Sequence, residues 1–204
     1  MFSALVVTTL VLSQAGWTLD TSKSELVVKV WKTGAAAGLA HDHVVRASKF
    51  EGKVTLEDPD RVETLSLSIK LDVASLVPDE PEVRKRHNVP NPGPAEADQK
   101  KVKENMLADD QLNVAKFPSI EFATTKFFRE ESGALQCTGK LTLHGVTKEV
   151  VFPVTVKTGD RVMEGDARLR FKTSDFGVKP YSAALGLIKN RDEVELVLHL
   201  VISR

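Results

Sequence analysis

The segment His41-Asp42-His43 has the residue types and spacing closest to a chemical site in this sequence. Two histidines two positions apart on a β-strand point to the same face, as two ligands of one metal ion must. A structural zinc site usually has four ligands, and the other three histidines lie far from this pair in sequence. We therefore expect His41 and His43 to be polar, hydrogen-bonding side chains at a strand end, with a metal site as the alternative.

The sequence contains no recognisable arrangement for covalent or acid–base catalysis. No serine lies in a GxSxG nucleophile turn, and there is no glycine-rich phosphate loop. Cys137, the single cysteine, falls on the apolar face of an alternating segment, so we expect a core residue. The adjacent acids Asp109-Asp110 and Glu130-Glu131 occur in turn or helix-end contexts, which are typical of a solvated surface. We predict no enzymatic activity and no cofactor.

Alternating apolar and polar residues predict the β-strands that must position these side chains. Successive residues of a strand point to opposite faces, so a half-buried sheet gives a pattern with a period of two. In residues 64–71 the apolar side chains at odd positions alternate with Ser66, Ser68 and Lys70. Similar alternation occurs in residues 24–31, 39–47, 50–56, 161–171 and 192–202, and three strands follow one another within residues 117–156.

Two features within residues 117–156 indicate how neighbouring strands are connected. Gly145 lies between two apolar rows, which predicts a tight hairpin over residues 144–147. Pro153 has no backbone N–H, so we expect it at an edge, at a bulge or where pairing is interrupted. These strands therefore form an antiparallel meander.

The complete pattern predicts an all-β fold of about eight or nine strands, an antiparallel barrel or sandwich. The strands are mostly joined by short turns, and the intervening helices of a parallel α/β sheet are missing. Five prolines between residues 78 and 94 predict a Pro-rich loop insertion. Residues 96–107 are good helix formers with an apolar stripe of Val102, Met106 and Leu107, which predicts one short helix lying over the barrel.

Length and charge limit the domain number and the functional class. The 204 residues fit one domain, which we place at residues 16–204. Lys and Arg total 28, and so do Asp and Glu, so no overall positive field is present to hold a polyanion. We expect no nucleic-acid partner.

Residues 1–15 are expected to be a signal peptide with a small-residue cleavage site after Ala15. The apolar stretch at residues 2–12 is shorter than the roughly 20 residues of a membrane span, so we expect no transmembrane anchor. A first β-strand is the alternative interpretation of this segment. Export without an internal disulfide suits a bacterial periplasm at least as well as a eukaryotic secreted setting.

Short motifs spread along the chain resemble those of the YceI-like family. They are WTLD at 17–20, FEG at 50–52, LDVASL at 71–76, ML at 106–107, FPSIEF at 117–122, GKLTLHGVTK at 139–148 and SDFG at 174–177. The resemblance implies a lipocalin-like fold, an extended eight-stranded antiparallel β-barrel. It implies that this barrel binds a polyisoprenoid or similar long-chain lipid in its core. It also implies a secreted or periplasmic bacterial protein, and it implies no enzymatic activity.

An eight-stranded barrel has an interior that is either filled by side chains or able to hold one small ligand. We expect a hydrophobic ligand such as a polyprenol, a prenyl quinone or a fatty-acid derivative, bound without a further cofactor. The candidate cavity-lining residues are Leu65, Leu67, Ile69, Leu71, Ile120, Phe122, Leu141, Leu143, Phe152, Leu196 and Leu198. The alternatives are a metal-binding or hydrolytic protein using His41 and His43, and a filled barrel acting as an interaction module through residues 78–94. A homodimer is also left open.

Overall fold

The computed structural model describes residues 16–90 and 93–204. The expected signal peptide, residues 1–15, lies outside the described residues. Within the described part of the chain the strands are β1 (Thr18–Leu19), β2 (Glu25–Thr33), β3 (His43–Ala47), β4 (Phe50–Leu56), β5 (Leu65–Asp72), β6 (Leu76–Pro78), β7 (Ser119–Arg129), β8 (Leu135–Leu143), β9 (Val146–Thr158), β10 (Val162–Lys172), β11 (Ser182–Ala183) and β12 (Ile188–Ser203). The α-helices there are α1 (Pro81–Arg86) and α2 (Glu96–Leu107).

All strand pairs are antiparallel and form one curled sheet. The hydrogen-bonded order is β4-β5-β7-β8-β9-β10-β12-β2-β3-β6, with β1 and β11 pairing with the two ends of β12. Strands β3 and β4 are separated by two residues, and β5 and β6 by three. β3 and β4 therefore form one long bent strand, and so do β5 and β6. Because β4 and β6 are the two ends of the hydrogen-bonded order, the bend connects both ends of the sheet through continuous chain.

Hydrogen bonds hold the two bent strands together at the bend. The backbone N–H of Ser48 donates to the carbonyl of Ser75 at 3.2 Å, and the hydroxyl of Ser48 donates to the same carbonyl at 2.6 Å. The backbone N–H of Lys49 donates to the hydroxyl of Ser75 at 3.1 Å. The prediction of an all-β antiparallel barrel is confirmed. The nine alternating segments of the sequence correspond to β2, β3, β4, β5, β7, β8, β9, β10 and β12, and the described residues add the short strands β1, β6 and β11.

The predicted hairpin is present at the turn between β8 and β9. Leu143 pairs with Val146, and the two residues between them, His144 and Gly145, have φ values of 52° and 75°. Positive φ at both central positions gives the turn a twist that matches the strands. Pro153 pairs with β8 alone, and pairing of β9 with β10 begins at the next residue. It therefore lies where pairing is interrupted, as its missing N–H requires.

Of the two α-helices in the described residues, α2 was predicted from the sequence and α1 was not. Helix α2 spans the twelve predicted residues. The Pro-rich segment also contains α1, which was not predicted, and Pro81 occupies its first turn. Proline is tolerated there because the N–H groups of a first helical turn have no intrahelical acceptor.

The barrel core includes one close contact that only glycine permits. A Cβ atom at Gly139 would lie 2.3 Å from Cζ of Phe122 and 2.8 Å from the backbone oxygen of Ala123. Gly165, on β10, has nothing within 4 Å of its Cβ position. Both glycines lie within long strands of the barrel, but a side chain would clash at Gly139 and would meet open space at Gly165.

We predict that Gly139→Ala lowers the free energy of unfolding by about 1–3 kcal/mol, because the added methyl group overpacks a filled site that includes fixed backbone. Gly165→Ala is the matched control and should be neutral or stabilising by up to about 1 kcal/mol, since it reduces the entropy of the unfolded chain without a clash. Urea unfolding of both variants measures the difference. Equal effects of the two substitutions would contradict the packing described for β8.

Candidate functional site

Two cavities lie in the interior of the curled sheet, lined by residues within the described ranges. The larger has a volume of about 230 Å³. Its walls come mainly from the inward faces of β2, β3 and β12, where apolar side chains recur at every second position. These residues are Leu26, Val28 and Val30 on β2, Val45 and Ala47 on β3, and Val194 and Leu196 on β12.

Helix α2 and the segment after it cover this cavity. Val102, Asn105 and Met106 of the helix contribute to the lining, followed by Gln111 and Leu112. No residue of α2 is fully buried. The helix therefore lies over the cavity as a half-exposed cover, as its thin apolar stripe predicts.

The smaller cavity, of about 70 Å³, lies among residues of β5, β7, β8, β9, β10 and β12. Its lining is apolar apart from the hydroxyl of Thr124 and the thiol of Cys137. Phe122 and Phe152, whose ring centroids are 5.8 Å apart, both contribute to it.

The structure divides the eleven predicted lining residues between these spaces. Leu71, Ile120, Leu143 and Leu196 line the larger cavity. The residues Leu65, Leu67, Ile69, Phe122, Phe152 and Leu198 line the smaller one. Leu141 belongs to the same buried core but lines neither cavity.

Several lining residues were not predicted. The inward faces of β2 and β3 were available from the alternation in residues 24–31 and 39–47. The contributions of Val178, Lys179, Pro180 and Tyr181 come from an irregular segment after β10 that has no periodic pattern. Only the folded chain brings that segment to the cavity.

The larger cavity is polar at one end. Thr173, Lys179, Tyr181, Asn190 and Arg191 contribute there, and no carboxylate lines this cavity. The pairing register of β12 with β2 shifts between Asn190 and Val194. Such an irregularity re-aims side chains in a strand, and here it lies next to the polar rim.

His43 is the inward-facing residue that begins β3 at this polar end. Its Nδ1 lies 2.6 Å from a carboxylate oxygen of Asp79, a residue with no exposed surface. Asp79 also accepts hydrogen bonds from the backbone N–H of Val44 at 3.1 Å and from Arg84 Nη1 at 2.5 Å. Arg84 is buried as well, and donates to the carbonyls of Asp42 and Pro90. The network ties α1 and the Pro-rich segment to the barrel wall.

Burial alone would raise the pKa of Asp79, yet its pKa lies below the ordinary value of 3.8. The hydrogen bonds from His43, from the Val44 amide and from Arg84 outweigh the cost of burial. Asp79 is therefore a carboxylate at neutral pH. When the His43 ring is neutral, the proton on Nδ1 faces this carboxylate and Nε2 is a hydrogen-bond acceptor.

The two histidines of the initial motif do not converge. His41 is exposed and precedes β3, so the pair does not share one face of a strand as a metal site would need. Across residues 16–90 and 93–204, no group of three or more His, Cys, Asp or Glu side chains is placed to hold a metal ion. His43 instead makes the hydrogen bond expected of a polar side chain at a strand end.

Cys137 lies in the core, 2% exposed, where burial raises the pKa of its thiol to about 12. The reactive species of cysteine is the thiolate, so this side chain is inert in the folded protein. The acidic pairs at residues 109–110 and 130–131 are exposed, as predicted for a solvated surface.

A curled antiparallel sheet around an apolar interior is the architecture of lipocalin-like β-barrels. A family model described as a YceI-like domain matches residues 17–202, and the chain belongs to the YceI-like family. Among solved structures, Burkholderia cenocepacia BcnA has a TM-score of 0.66 at 22% identity, covering 90% of this chain and 98% of that one. The Campylobacter jejuni YceI protein has a TM-score of 0.57 at 17% identity, covering 78% and 84%. These structural likenesses show a shared fold.

Curated relatives match parts of the chain. A UPF0312 protein of Shewanella denitrificans is 37% identical over 86 residues, which is 37% of this chain and 42% of that protein. A UPF0312 protein of Pseudomonas putida (strain W619) is 29% identical over 136 residues, 64% of this chain and 60% of that protein. The chain thus spans about half the length of the curated relatives it matches. None of the helices in the described ranges has the length and apolar character needed to cross a bilayer.

We predict that Asp79→Asn lowers the free energy of unfolding by about 3–5 kcal/mol at pH 7, because it breaks the buried ion pair between Asp79 and Arg84. The lowered pKa means that the carboxylate stabilises the fold above pH 3.8 and that this contribution is lost as the pH falls below that value. The difference in the free energy of unfolding between wild type and Asp79→Asn should therefore become smaller as the pH falls. Unfolding curves at several pH values measure it.

Glu121→Gln is the control for Asp79→Asn. Glu121 pairs with Lys70 at 3.2 Å, and the two side chains are 50% and 57% exposed. An exposed ion pair contributes about 0–1 kcal/mol to stability, so Glu121→Gln should lower the free energy of unfolding by no more than this amount. A difference between wild type and Asp79→Asn that does not vary with pH would contradict the role given to the carboxylate.

We also predict that Cys137 does not react with a disulfide reagent such as Ellman's reagent at pH 8, because its pKa is raised and the side chain is inaccessible. One thiol per chain should react once urea unfolds the protein. A Cys137→Ala/Val151→Cys double variant, with the thiol moved to a 54% exposed position, should react in the folded state. Fast labelling of folded wild type would contradict the burial of Cys137.

Proposed function

We propose that this protein binds, stores or transports a long-chain isoprenoid or similar lipid without catalysing a reaction. The observation that carries the proposal is the larger cavity, which has apolar walls on β2, β3 and β12 and one polar end. Apolar interiors bind chains by removing them from water, and a few polar groups set the orientation of the ligand. Membership of the YceI-like family supports the same function.

The energy of binding comes from burial of the hydrocarbon chain. Each buried CH₂ group contributes about 0.8 kcal/mol, so a chain of eight such groups gains about 6 kcal/mol before the cost of ordering. The larger cavity, at about 230 Å³, is somewhat below the roughly 300–1,000 Å³ of typical ligand pockets. It holds part of a long chain, and a longer one reaches the smaller cavity when core side chains between the two spaces move.

The polar end of the cavity determines which end of the lipid lies there. Lys179 and Arg191 supply positive charge, and the polar His43 ring lines the same cavity. A hydroxyl or anionic end group is therefore placed at the rim, with the chain inside. Asp79 and Arg84 hold the His43 ring in this orientation rather than contacting the lipid.

The proposed location is the bacterial periplasm or the extracellular space. Residues 1–15 have the composition of a signal peptide, and family membership is consistent with export. A carrier in such a compartment shields a water-insoluble chain while it passes between membranes or is held in reserve.

We predict that Val28→Phe weakens the binding of geranylgeraniol at least tenfold. Val28 lines the larger cavity, and the extra ring occupies space that the ligand needs. Val151→Phe adds the same volume at an exposed position on β9 and should leave affinity unchanged. Fluorescence competition measures affinity, and circular dichroism confirms that both variants fold.

Native mass spectrometry of freshly purified protein supplies an independent measurement. A bound lipid should appear as a mass increment that organic extraction removes. Absence of any co-purifying lipid, together with no binding of prenyl alcohols, prenyl quinones or fatty acids, would refute the proposed function.

A further inference from the structure

A short hairpin projects from the polar rim of the larger cavity. Ser182 and Ala183 of β11 pair with Lys189 and Ile188 at the start of β12. Its base is closed by a hydrogen bond of 2.9 Å from the N–H of Asn190 to the carbonyl of Tyr181. Tyr181 and Asn190 both line the cavity. We call residues 181–190 the rim hairpin, since its base forms part of the cavity entrance.

The tip of the rim hairpin presents apolar side chains to solvent. Leu185 is fully exposed, with 106% of its reference area, and Leu187 is 51% exposed. Leu39, which is 81% exposed, lies on a neighbouring turn formed by Ala37–Leu39. The N–H of Ala36 donates to the carbonyl of Leu187 at 2.9 Å, which joins this turn to the hairpin. Exposed leucines are ordinary when scattered, but here they occupy two joined loops beside one opening.

The backbone at the hairpin tip is strained. Ala184 and Leu185 have φ values of 49° and 55°, in the left-handed region that non-glycine residues rarely adopt. Gly186 follows with φ at 88°, so the tip contains three consecutive residues of positive φ. Strain of this kind persists where the surrounding structure imposes it, and it is associated with functional sites. Here it places the Leu185 side chain outward, away from every core residue.

Cations lie close to these leucines in the sequence. Lys179, Lys189 and Arg191 are exposed, and residues 176–191 contain no Asp or Glu. The first acid after this stretch, Asp192, accepts hydrogen bonds from Thr173 and Ser174. The loop that carries Leu39 contributes Lys32 and no acid between residues 31 and 41. Leucines surrounded by cations match the apolar interior and anionic head groups of a phospholipid bilayer.

We propose that the rim hairpin and the Ala37–Leu39 turn dock this protein on an anionic phospholipid membrane. Leu39, Leu185 and Leu187 insert at the level of the head groups, and Lys179, Lys189 and Arg191 contact lipid phosphates. Docking in this orientation sets the cavity entrance against the bilayer. This inference goes beyond the proposed function, because it specifies a membrane surface as a partner and the place where a ligand enters or leaves.

Vesicle flotation with 100 nm liposomes tests the proposal. Wild-type protein should float with phosphatidylcholine vesicles that contain phosphatidylglycerol, and high salt or pure phosphatidylcholine should reduce the bound fraction. A Leu39→Ser/Leu185→Gly double variant should bind at least tenfold more weakly. Val151→Ser, an exposed apolar residue on β9, is the matched control and should bind as wild type does. All proteins share the same N-terminus, so any contribution of residues 1–15 is equal among them.

Leu185→Gly separates docking from folding. Glycine adopts positive φ without penalty, so this variant should be at least as stable as wild type in urea while binding vesicles less well. Binding of geranylgeraniol in solution should be unchanged, because Leu185 lies outside both cavities. Loss of docking with retained lipid affinity thus distinguishes this inference from the proposed function.

Two results would overturn the membrane proposal. One is wild-type protein that stays unbound to anionic vesicles, or a double variant that floats as well as wild type. The other is a concentration-dependent dimer in analytical ultracentrifugation that the leucine substitutions dissociate, with no vesicle binding, which would assign this surface to a second copy of the chain.

Discussion

The bend between Ser48 and Ser75 curls the sheet of this protein around an interior. The hydrogen bonds there allow β3 with β4, and β5 with β6, to serve as single strands that turn a corner. β4 and β6 are the two ends of the hydrogen-bonded order, and the bend joins them to the rest of the sheet through continuous chain. The apolar faces of β2, β3 and β12 line the interior, and the core, both cavities and the position of α2 all depend on this bend.

The interior is organised by polarity along its length. The smaller cavity is almost wholly apolar, whereas the larger one ends among hydroxyl, amide and cationic groups. At that end Asp79 and Arg84 compensate each other in a buried position and orient His43. A buried ion pair is a poor source of net stability, but it fixes one arrangement of the chain around it. Its location at the polar end is consistent with a role in shaping the entrance.

Sequence reasoning predicted the parts of this fold that depend on local chemistry. Helix α2, the turn at His144 and Gly145, the interruption at Pro153 and most strands follow from propensity, φ preference or a period of two. The contact between His43 and Asp79 joins residues 36 positions apart, and no periodic signal links them. The strained tip at Ala184 and Leu185 likewise depends on strand pairing that surrounds it.

In the candidate site, too, some features follow from the local sequence pattern and others depend on tertiary structure. The alternation indicated which residues face inward, including all eleven predicted lining residues in the core or its edge. Their separation into two cavities depends on side-chain volumes at contacts such as Phe122 against Gly139, which the alternation does not encode. The residues at the polar rim come from the segment after β10, the start of β12 and His43 of β3, and only tertiary structure brings these together.

The burial of the single cysteine has a consequence for redox chemistry. An unpaired thiol in an oxidising compartment is open to mixed disulfides and to higher oxidation states, and both routes begin with an accessible thiolate. Cys137 lies on β8 opposite Phe152 of β9 and is buried in the core, so oxidants in solution do not reach it while the barrel is folded. Folding thus protects the Cys137 thiol from oxidation. The rate at which this thiol is oxidised therefore reports how often the barrel unfolds.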